Sequence, residues 1–244
     1  MNHLEIIGFA DQVGTRCELS TLRARQGRLE EARRFLVEAE AESYPEPFTD
    51  LAADETDPDP RVRAAARDAL DDIDAEHVFP AKGHGNSCFE IVAPYVGDCD
   101  YDGAGELLAY LYPGLKPPQA EPVAKLREVD LPGAGDADLM ETAYLFVPPV
   151  CEDGAERCGL HLVLHGCAQS AEVVGTDFIE QSGYLPWAEA NGIVLAFPQV
   201  EKSLMAPMNP HGCWDWWGYT GDDYARRSGK QMAVLADWIR ALRD

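Results

Sequence analysis

The spacing of apolar residues divides the chain into two parts. In residues 18–42 apolar side chains recur at helical spacing between charged residues, and Gly27 marks a break between two helices. After Asp74 glycine, proline and aromatic residues become more frequent, and short apolar runs alternate with helical segments. The pattern predicts a helical segment over residues 1–74, followed by an α/β domain over residues 75–244.

Three short apolar runs in the second part predict strands, at residues 142–147, 160–164 and 193–197. Each run is almost wholly apolar, as expected for strands whose two faces are both covered by helices. Helical periodicity predicts four helices, at residues 101–112, 177–182, 185–191 and 223–242.

Two short pieces of the first part have the pattern of helical repeats. Residues 26–36 (Q-G-R-L-E-E-A-R-R-F-L) resemble part of a tetratricopeptide repeat, and residues 57–70 resemble the second helix of a HEAT repeat. A solenoid needs at least about three stacked units to bury its faces, and neither piece recurs. We therefore expect two or three amphipathic helices that pack on a neighbouring domain, separated by an acidic linker at residues 54–60.

The charge of the chain excludes two classes of partner. With 43 acidic and 20 basic residues, the formal charge of -23 repels nucleic acid phosphates and anionic membranes. No apolar run approaches the roughly 20 residues of a membrane-spanning helix, and the chain starts without the pattern of a signal peptide. These features favour a soluble protein that acts on a neutral or apolar substrate.

The cysteines predict disulfides and no metal. Among the seven cysteines there is no C-x-x-C pair, and the histidines form no H-E-x-x-H pair, so we expect neither a metal nor another cofactor. Two short separations, Cys88 to Cys99 and Cys151 to Cys158, would close small loops if oxidised. Such loops are typical of exported proteins, which conflicts with the absence of an export signal in this sequence.

Residues 164–167, L-H-G-C, are the first candidate for chemistry. They follow an apolar run, and a strand that ends in His-Gly enters a loop at the carboxyl edge of the sheet, where ligands collect. In α/β hydrolases a backbone N–H of such a loop stabilises the negative oxygen of the tetrahedral intermediate. The donor here would be Cys167 or Ala168. For this motif alone, an ordinary glycine turn with a satisfied histidine is the better interpretation.

The order of several motifs favours a catalytic loop over an ordinary glycine turn at residues 164–167. The chain contains A-E-H-V-F-P at residues 75–80, a stretch with two cysteines at residues 88–108, L-H-G-C-A-Q-S at residues 164–170 and N-P-H-G-C-W-D-W-W-G-Y at residues 209–219. Together they resemble the catalytic domain of extracellular poly(3-hydroxybutyrate) depolymerases with a circularly permuted α/β-hydrolase fold. The resemblance covers about two thirds of the chain. It implies an α/β-hydrolase-type sheet with flanking helices, a serine-esterase mechanism and a polyester substrate.

The resemblance also implies site residues. His77 would be the general base, in preference to His84 nearby, and Cys167 would supply an oxyanion N–H. Trp216, Trp217 and Tyr219 would form the aromatic surface on which the polyester packs, and His165 is included among the substrate-binding residues.

The Trp-rich loop, residues 209–219, also contains residues that are expected to be structural. Its three tryptophans cannot all point one way, so at least one is expected to be structural. A disulfide between Cys167 and Cys213 would tie this loop to the His-Gly loop.

The sequence departs from the family at one essential point. A nucleophile serine on a G-x-S-x-G turn is required, and none of the serines Ser20, Ser43, Ser87, Ser170, Ser182, Ser203 and Ser228 has that setting. Asp54 and Asp57 are the candidates for the acid of the catalytic triad, but their position in a proline-rich linker favours neither. Cys17 has no obvious partner. We therefore expect the C-terminal portion of a depolymerase joined to an unrelated helical front.

Three functions remain open from the sequence. The first is a depolymerase-type ester hydrolase, impaired as this chain stands. The second is a binding protein that retains polyester on the Trp-rich loop without cutting it. The third is a docking module at residues 1–74 that recruits a partner protein supplying the missing half.

Overall fold

The computed structural model describes residues 75–112, 114–119, 121–152 and 158–243. Predictions for the first 74 residues lie outside the described residues. They comprise the helical segment with its repeat-like pieces, Cys17, and the acid candidates Asp54 and Asp57.

A small parallel sheet precedes the main one. Its strands are β1 (Phe79–Ala81), β2 (Asn86–Ser87) and β3 (Val96–Asp98), in the order β1-β3-β2. The disulfide Cys88–Cys99 closes the segment that contains β3, with a sequence separation of 11. This sheet carries the backbone that follows His77.

The main sheet has four strands, β4 (Leu126–Asp130), β5 (Thr142–Phe146), β6 (Gly159–Leu162) and β7 (Ile193–Phe197). Their order is β4-β5-β7-β6, in which β6 and β7 are parallel and β5 is antiparallel to both of its neighbours. The three strands predicted from apolar runs are β5, β6 and β7, with bounds that differ by two residues at most.

In the part of the chain that the structure describes, five α-helices flank the strands, and two 3-10 turns lie at Ala134–Ala137 and Pro149–Cys151. The helices are α1 (Gly103–Leu111), α2 (Ala171–Val174), α3 (Asp177–Gln181), α4 (Tyr184–Asn191) and α5 (Lys230–Arg243). Within the described ranges, no helix has both the length and the apolar composition needed to cross a bilayer.

Side chains of the main sheet alternate between two cores, one on each face. On β7, Ile193, Leu195 and Phe197 pack with residues of α1 and α4, whereas Ala196 packs on the opposite face with Trp238 and Ile239 of α5. The period of two along an extended strand produces this alternation. The chain thus has an α/β fold in which helices cover both faces of a sheet.

The last helix begins later than its periodicity predicts. Tight turns occupy residues 222–229, where the Tyr224 N–H donates to Gly221 O and the Gly229 N–H donates to Arg226 O. A Cβ on Gly229 would lie 2.6 Å from Tyr224 O, so the chain passes too close to itself for a side chain at this position. Helix α5 therefore starts only at Lys230.

Candidate active site

The His-Gly loop follows β6 and is organised by a buried histidine. The side chain of His165 is 1% exposed; its Nδ1 lies 2.7 Å from Gly166 O, and the Val200 N–H donates to its Nε2 at 3.2 Å. Because a carbonyl only accepts and an amide N–H only donates, the ring carries its proton on Nδ1 and is neutral. Burial lowers the pKa of His165 to about 4, and the hydrogen bond to Gly166 opposes this shift only in part.

His165 is therefore a structural residue of the loop. Both ring nitrogens are used inside the protein, and the ring also packs against Trp214 with centroids 5.3 Å apart. The prediction that His165 contacts substrate is corrected, because the side chain is buried and both of its ring nitrogens are bonded within the protein.

The structure shows the partner of the N–H of one candidate oxyanion donor, Ala168. The Ala168 N–H donates to His211 O at 2.6 Å, and Ala168 has a left-handed φ of 60°. The Ala168 N–H thus donates to the loop that leads to the tryptophans, and the alternative that Ala168 is the oxyanion donor is corrected. Cys167 stays the predicted donor.

The described residues form three disulfides, and one of them joins the two loops of the site. Cys167 and Cys213 are bonded with a Cα–Cα distance of 4.3 Å across a sequence separation of 46. The short pairs Cys88–Cys99 and Cys151–Cys158 are also formed, which confirms all three predicted pairings. The covalent link holds the Trp-rich loop beside the His-Gly loop.

The Trp-rich loop folds around a single carboxylate. Asp215 Oδ1 accepts the N–H groups of Gly218 at 2.6 Å and Tyr219 at 3.0 Å, and Oδ2 accepts the N–H and the hydroxyl of Thr220 at 2.8 and 2.7 Å. Gln231 of α5 accepts the Asp215 N–H through Oε1 at 2.9 Å. Four hydrogen bonds to one side chain make the loop a rigid platform.

The three tryptophans have different positions. Trp214 is buried and donates its indole N–H to His165 O at 2.8 Å, so it is the structural member that the sequence leads us to expect. Trp217 is 40% exposed and contacts Trp216 and Tyr219, with ring centroids 5.1 and 4.6 Å apart. The three rings meet in edge and tilted contacts and form one aromatic surface, in which Trp217 is the central and most exposed ring.

Tyr219 supports this surface through its ring and not through a free hydroxyl. Its O–H donates to Cys213 O at 2.8 Å and accepts from Gln231 Nε2 at 2.8 Å and from Asn209 Nδ2 at 3.3 Å. Burial raises the pKa of Tyr219, which keeps the phenol neutral. The hydroxyl anchors the ring that lies under Trp217.

The two base candidates lie in different surroundings. His77 is half-buried and comes two residues before β1, whose Phe79 N–H donates to Tyr95 O at 2.8 Å. His84 is exposed in the turn between β1 and β2. The preference for His77 stays a prediction.

The described serines are used in turns and in the core. Ser182 Oγ donates to Ile179 O at 3.4 Å, and Ser203 Oγ donates to Met205 O at 3.0 Å. Ser170 Oγ is fully buried and has no hydrogen-bond partner within the described residues. A serine nucleophile needs a base within hydrogen-bond reach, and Ser170 has none there.

The structure also reveals buried polar residues that the sequence does not single out. Asn209, Gln169, Gln199 and Gln231 are each less than 9% exposed, and each bonds backbone groups of the two loops or of neighbouring elements. Their only signal in the sequence is a polar residue inside or beside a quoted motif. In the described ranges, no cluster of histidine, cysteine and carboxylate side chains could hold a metal ion.

Known proteins resemble this chain over about two thirds of its length. It is 35% identical over 181 residues to the polyhydroxybutyrate depolymerase of Talaromyces funiculosus, covering 69% of this chain and 53% of that protein. It is 34% identical over 168 residues to the poly(3-hydroxybutyrate) depolymerase of Delftia acidovorans, covering 67% of this chain and 33% of that protein. The chain thus spans about half of one relative and a third of the other. No protein-family model matches the sequence.

Two solved structures share the fold. A PHB depolymerase with a serine-to-alanine substitution, complexed with an R3HB trimer, superposes with a TM-score of 0.65 at 34% identity, covering 68% of this chain and 56% of that one. The PHB depolymerase from Penicillium funiculosum superposes with a TM-score of 0.66 at 30% identity, covering 74% of this chain and 65% of that one. Over the part that aligns, the chain therefore belongs to the polyhydroxybutyrate depolymerase family.

Proposed function

We propose that this chain carries the general base, the oxyanion donor and the aromatic substrate surface of an ester hydrolase that acts on poly(3-hydroxybutyrate) or a related polyester. The observation that carries the proposal is the Cys167–Cys213 disulfide, which joins the His-Gly loop to the loop that presents Trp217. An oxyanion donor and an apolar surface side by side suit a substrate of repeating methyl and ester groups. The described relatives and solved structures are depolymerases of this polymer.

In the proposed reaction His77 takes the proton from a serine hydroxyl and returns it to the leaving alcohol. The Cys167 N–H stabilises the negative oxygen of the tetrahedral intermediate, and the polyester chain packs against Trp217 and Trp216. Removal of one oxyanion donor typically costs on the order of a hundredfold or more in turnover. Trp214, His165 and Asp215 hold these groups in place.

The strand that carries the nucleophile is expected to lie beside β6. Among the described strands β6 pairs on one side only, with β7, and the loop that carries Cys167 follows directly on β6. In α/β hydrolases the nucleophile lies at the end of a strand whose next N–H completes the same oxyanion hole. Because β7 occupies one side of β6, we propose that the nucleophile strand takes the other side. The 244 residues contain no G-x-S-x-G turn, so turnover by this chain alone is expected to be low.

The activity is tested with the full chain on polyester granules and on the soluble R3HB trimer. We expect only weak release of 3-hydroxybutyrate, which falls to background in His77→Ala. Loss in His84→Ala, with His77→Ala unaffected, would move the base role to His84. Well-folded protein with no release at all would contradict catalysis by this chain.

A second candidate function is polymer binding without cleavage, and the exposure of Trp217 favours it. We expect the double variant Trp216→Ala/Trp217→Ala to lose retention on polyester granules at least about tenfold, because truncation of a central aromatic anchor costs about 2 kcal/mol or more. Sedimentation with granules measures this loss.

Two controls separate binding from catalysis. His77→Ala is expected to keep full retention, and so is Val123→Ala, which truncates an exposed apolar side chain outside the Trp-rich loop. Equal losses in the Val123 and tryptophan variants would show that any exposed apolar side chain serves. In that case the Trp-rich loop would have no special role.

A further inference from the structure

A buried glutamine, Gln169, connects the base segment, which is the chain from His77 to Phe79, to the His-Gly loop that carries Cys167. Gln169 is 7% exposed, and its Oε1 accepts the Gly166 N–H at 2.8 Å. Its Nε2 donates to Tyr95 O at 2.9 Å and to Pro94 O at 3.1 Å. These contacts span 74 and 75 residues of sequence, so one side chain holds together two loops that are distant along the chain.

The carbonyl of Tyr95 is shared by both parts of the site. It accepts Gln169 Nε2 at 2.9 Å, and it also accepts the Phe79 N–H at 2.8 Å. Phe79 is the second residue after His77, and Gly166 directly precedes Cys167. The path from the base to the oxyanion donor therefore runs through one amide side chain and one backbone oxygen.

We propose that Gln169 is a positioning residue that sets the placement of His77 relative to the Cys167 N–H. The inference rests on the proposed function, because it takes the roles of these two residues from there. A base and an oxyanion donor must both reach the same reacting ester within hydrogen-bond distance, and a misplacement of about 1 Å can cost a hundredfold in rate. A link that joins the two backbones through one side chain and one backbone oxygen limits such a misplacement.

The hydrogen-bond pattern requires an amide at this position. Gly166 offers an N–H donor, and Pro94 and Tyr95 offer only carbonyl acceptors, so the side chain must accept at one end and donate at the other. A glutamate could accept from Gly166 but would turn a carboxylate oxygen towards two carbonyls. Glutamine is the residue that satisfies both ends, and every polar atom of it is then paired.

The backbone on both sides of this link is strained, which supports a specific role. Tyr95 and Ala168 are non-glycine residues with left-handed φ angles of 59° and 60°. Such conformations carry backbone strain and persist where the surroundings over-determine them. Gln169 donates to the carbonyl of Tyr95 and follows Ala168 in the sequence, so the link joins the two segments that contain the strained residues.

Hydrogen exchange of the full chain tests the link without any need for turnover. In Gln169→Met we expect exchange of the Gly166 and Phe79 amides to rise at least about fivefold, since one lost hydrogen bond is worth about 1 kcal/mol. In Gln169→Glu we expect the rise at Phe79, with Gly166 changed less. Exchange in α5 reports global unfolding and is expected to stay within twofold of the wild type.

Gln199 provides a matched control. It is a buried glutamine of the next loop, whose Oε1 accepts the Ala171 N–H at 2.7 Å and whose Nε2 donates to Phe197 O at 3.1 Å. Gln199→Glu is expected to leave the exchange of Phe79 unchanged. Unchanged exchange at Phe79 in both Gln169 variants would overturn the proposal, and so would an equal rise in α5, because the residue would then serve general stability.

A kinetic arm tests the proposed consequence for the site. With the soluble trimer as substrate, Gln169→Glu is expected to lower kcat at least about tenfold with KM within twofold, while retention on granules stays at the wild-type level. A change in KM or retention with kcat intact would contradict a positioning role. If the wild-type chain has no turnover, the proposed activity fails and the exchange experiment alone decides whether Gln169 holds the two segments.

Discussion

Lowering the pH from about 7 to about 4 is expected to reduce the free energy of unfolding by several kcal/mol, because two buried histidines are neutral in the folded protein. His161 and His165 are 5% and 1% exposed. Burial is the leading cause that lowers the pKa of each to about 4, from an ordinary value of 6.5. Both rings pack against aromatic residues of the core.

The sign follows from proton uptake. Between about pH 6.5 and about pH 4 the unfolded chain protonates these histidines and the folded chain does not, so acid favours unfolding in this window. Each histidine contributes on the order of 3 kcal/mol that is present above the unfolded pKa and lost as the pH falls to the folded pKa. The protonated His165 ring also could not accept the Val200 N–H, so the His-Gly loop is expected to loosen as the pH falls through about 4.

Urea unfolding at a series of pH values measures this effect. The many carboxylates of the chain add their own pH dependence, so the informative quantity is the difference between variants. His161→Leu is expected to remove about 1.4 kcal/mol per pH unit from the slope between pH 4 and 6.5. His84→Leu, which changes an exposed histidine, is expected to keep the wild-type slope. Identical slopes in all three proteins would rule out the buried neutral histidine as the cause.

Removing the disulfide that joins the two loops is expected to have the second largest effect. In Cys167→Ala/Cys213→Ala a closure over a separation of 46 residues is lost, and the chain-entropy model gives about 4 kcal/mol for a loop of this size. The Trp-rich loop would also lose its covalent tie to the His-Gly loop. We therefore expect a large fall in unfolding free energy and weaker retention on polyester granules.

The pair Cys151–Cys158 provides the control. Its separation of 7 residues predicts a smaller loss of about 2.5 kcal/mol in Cys151→Ala/Cys158→Ala. This variant is expected to bind polyester as the wild type does. If both double variants lost retention equally, stability alone and not the position of the Trp-rich loop would account for binding.

Three of the four strands described for the main sheet could be predicted because their signal is local, whereas β4 could not. Strands β5, β6 and β7 are nearly continuous apolar runs, and the structure places each between two covered faces. The small parallel sheet was not predicted. Its strands are two or three residues long and include Pro80 and Gly97, which have low strand propensity, so only their pairing defines them.

The site was predicted in its parts but not in its connections. The two short disulfides follow from cysteine spacing and one structural tryptophan from the grouping of three tryptophans in one loop, whereas the aromatic surface is implied by the family resemblance. Two assignments needed correction, because His165 is buried with both nitrogens bonded and the Ala168 N–H is taken by His211 O. A motif does not show which partner a polar atom has when that partner is distant in sequence.

The sequence by itself determined the α/β class, the family over two thirds of the chain, the disulfide pairs and the absence of a nucleophile turn among the 244 residues. Periodicity, motif order and cysteine spacing are properties of the chain that need no third dimension. Only the tertiary structure decided which polar atoms face inward. Asp215 holds the Trp-rich loop, His165 orders the His-Gly loop, and Gln169 joins that loop to the base segment. Buried polar groups must find partners, and folding alone brings those partners within reach.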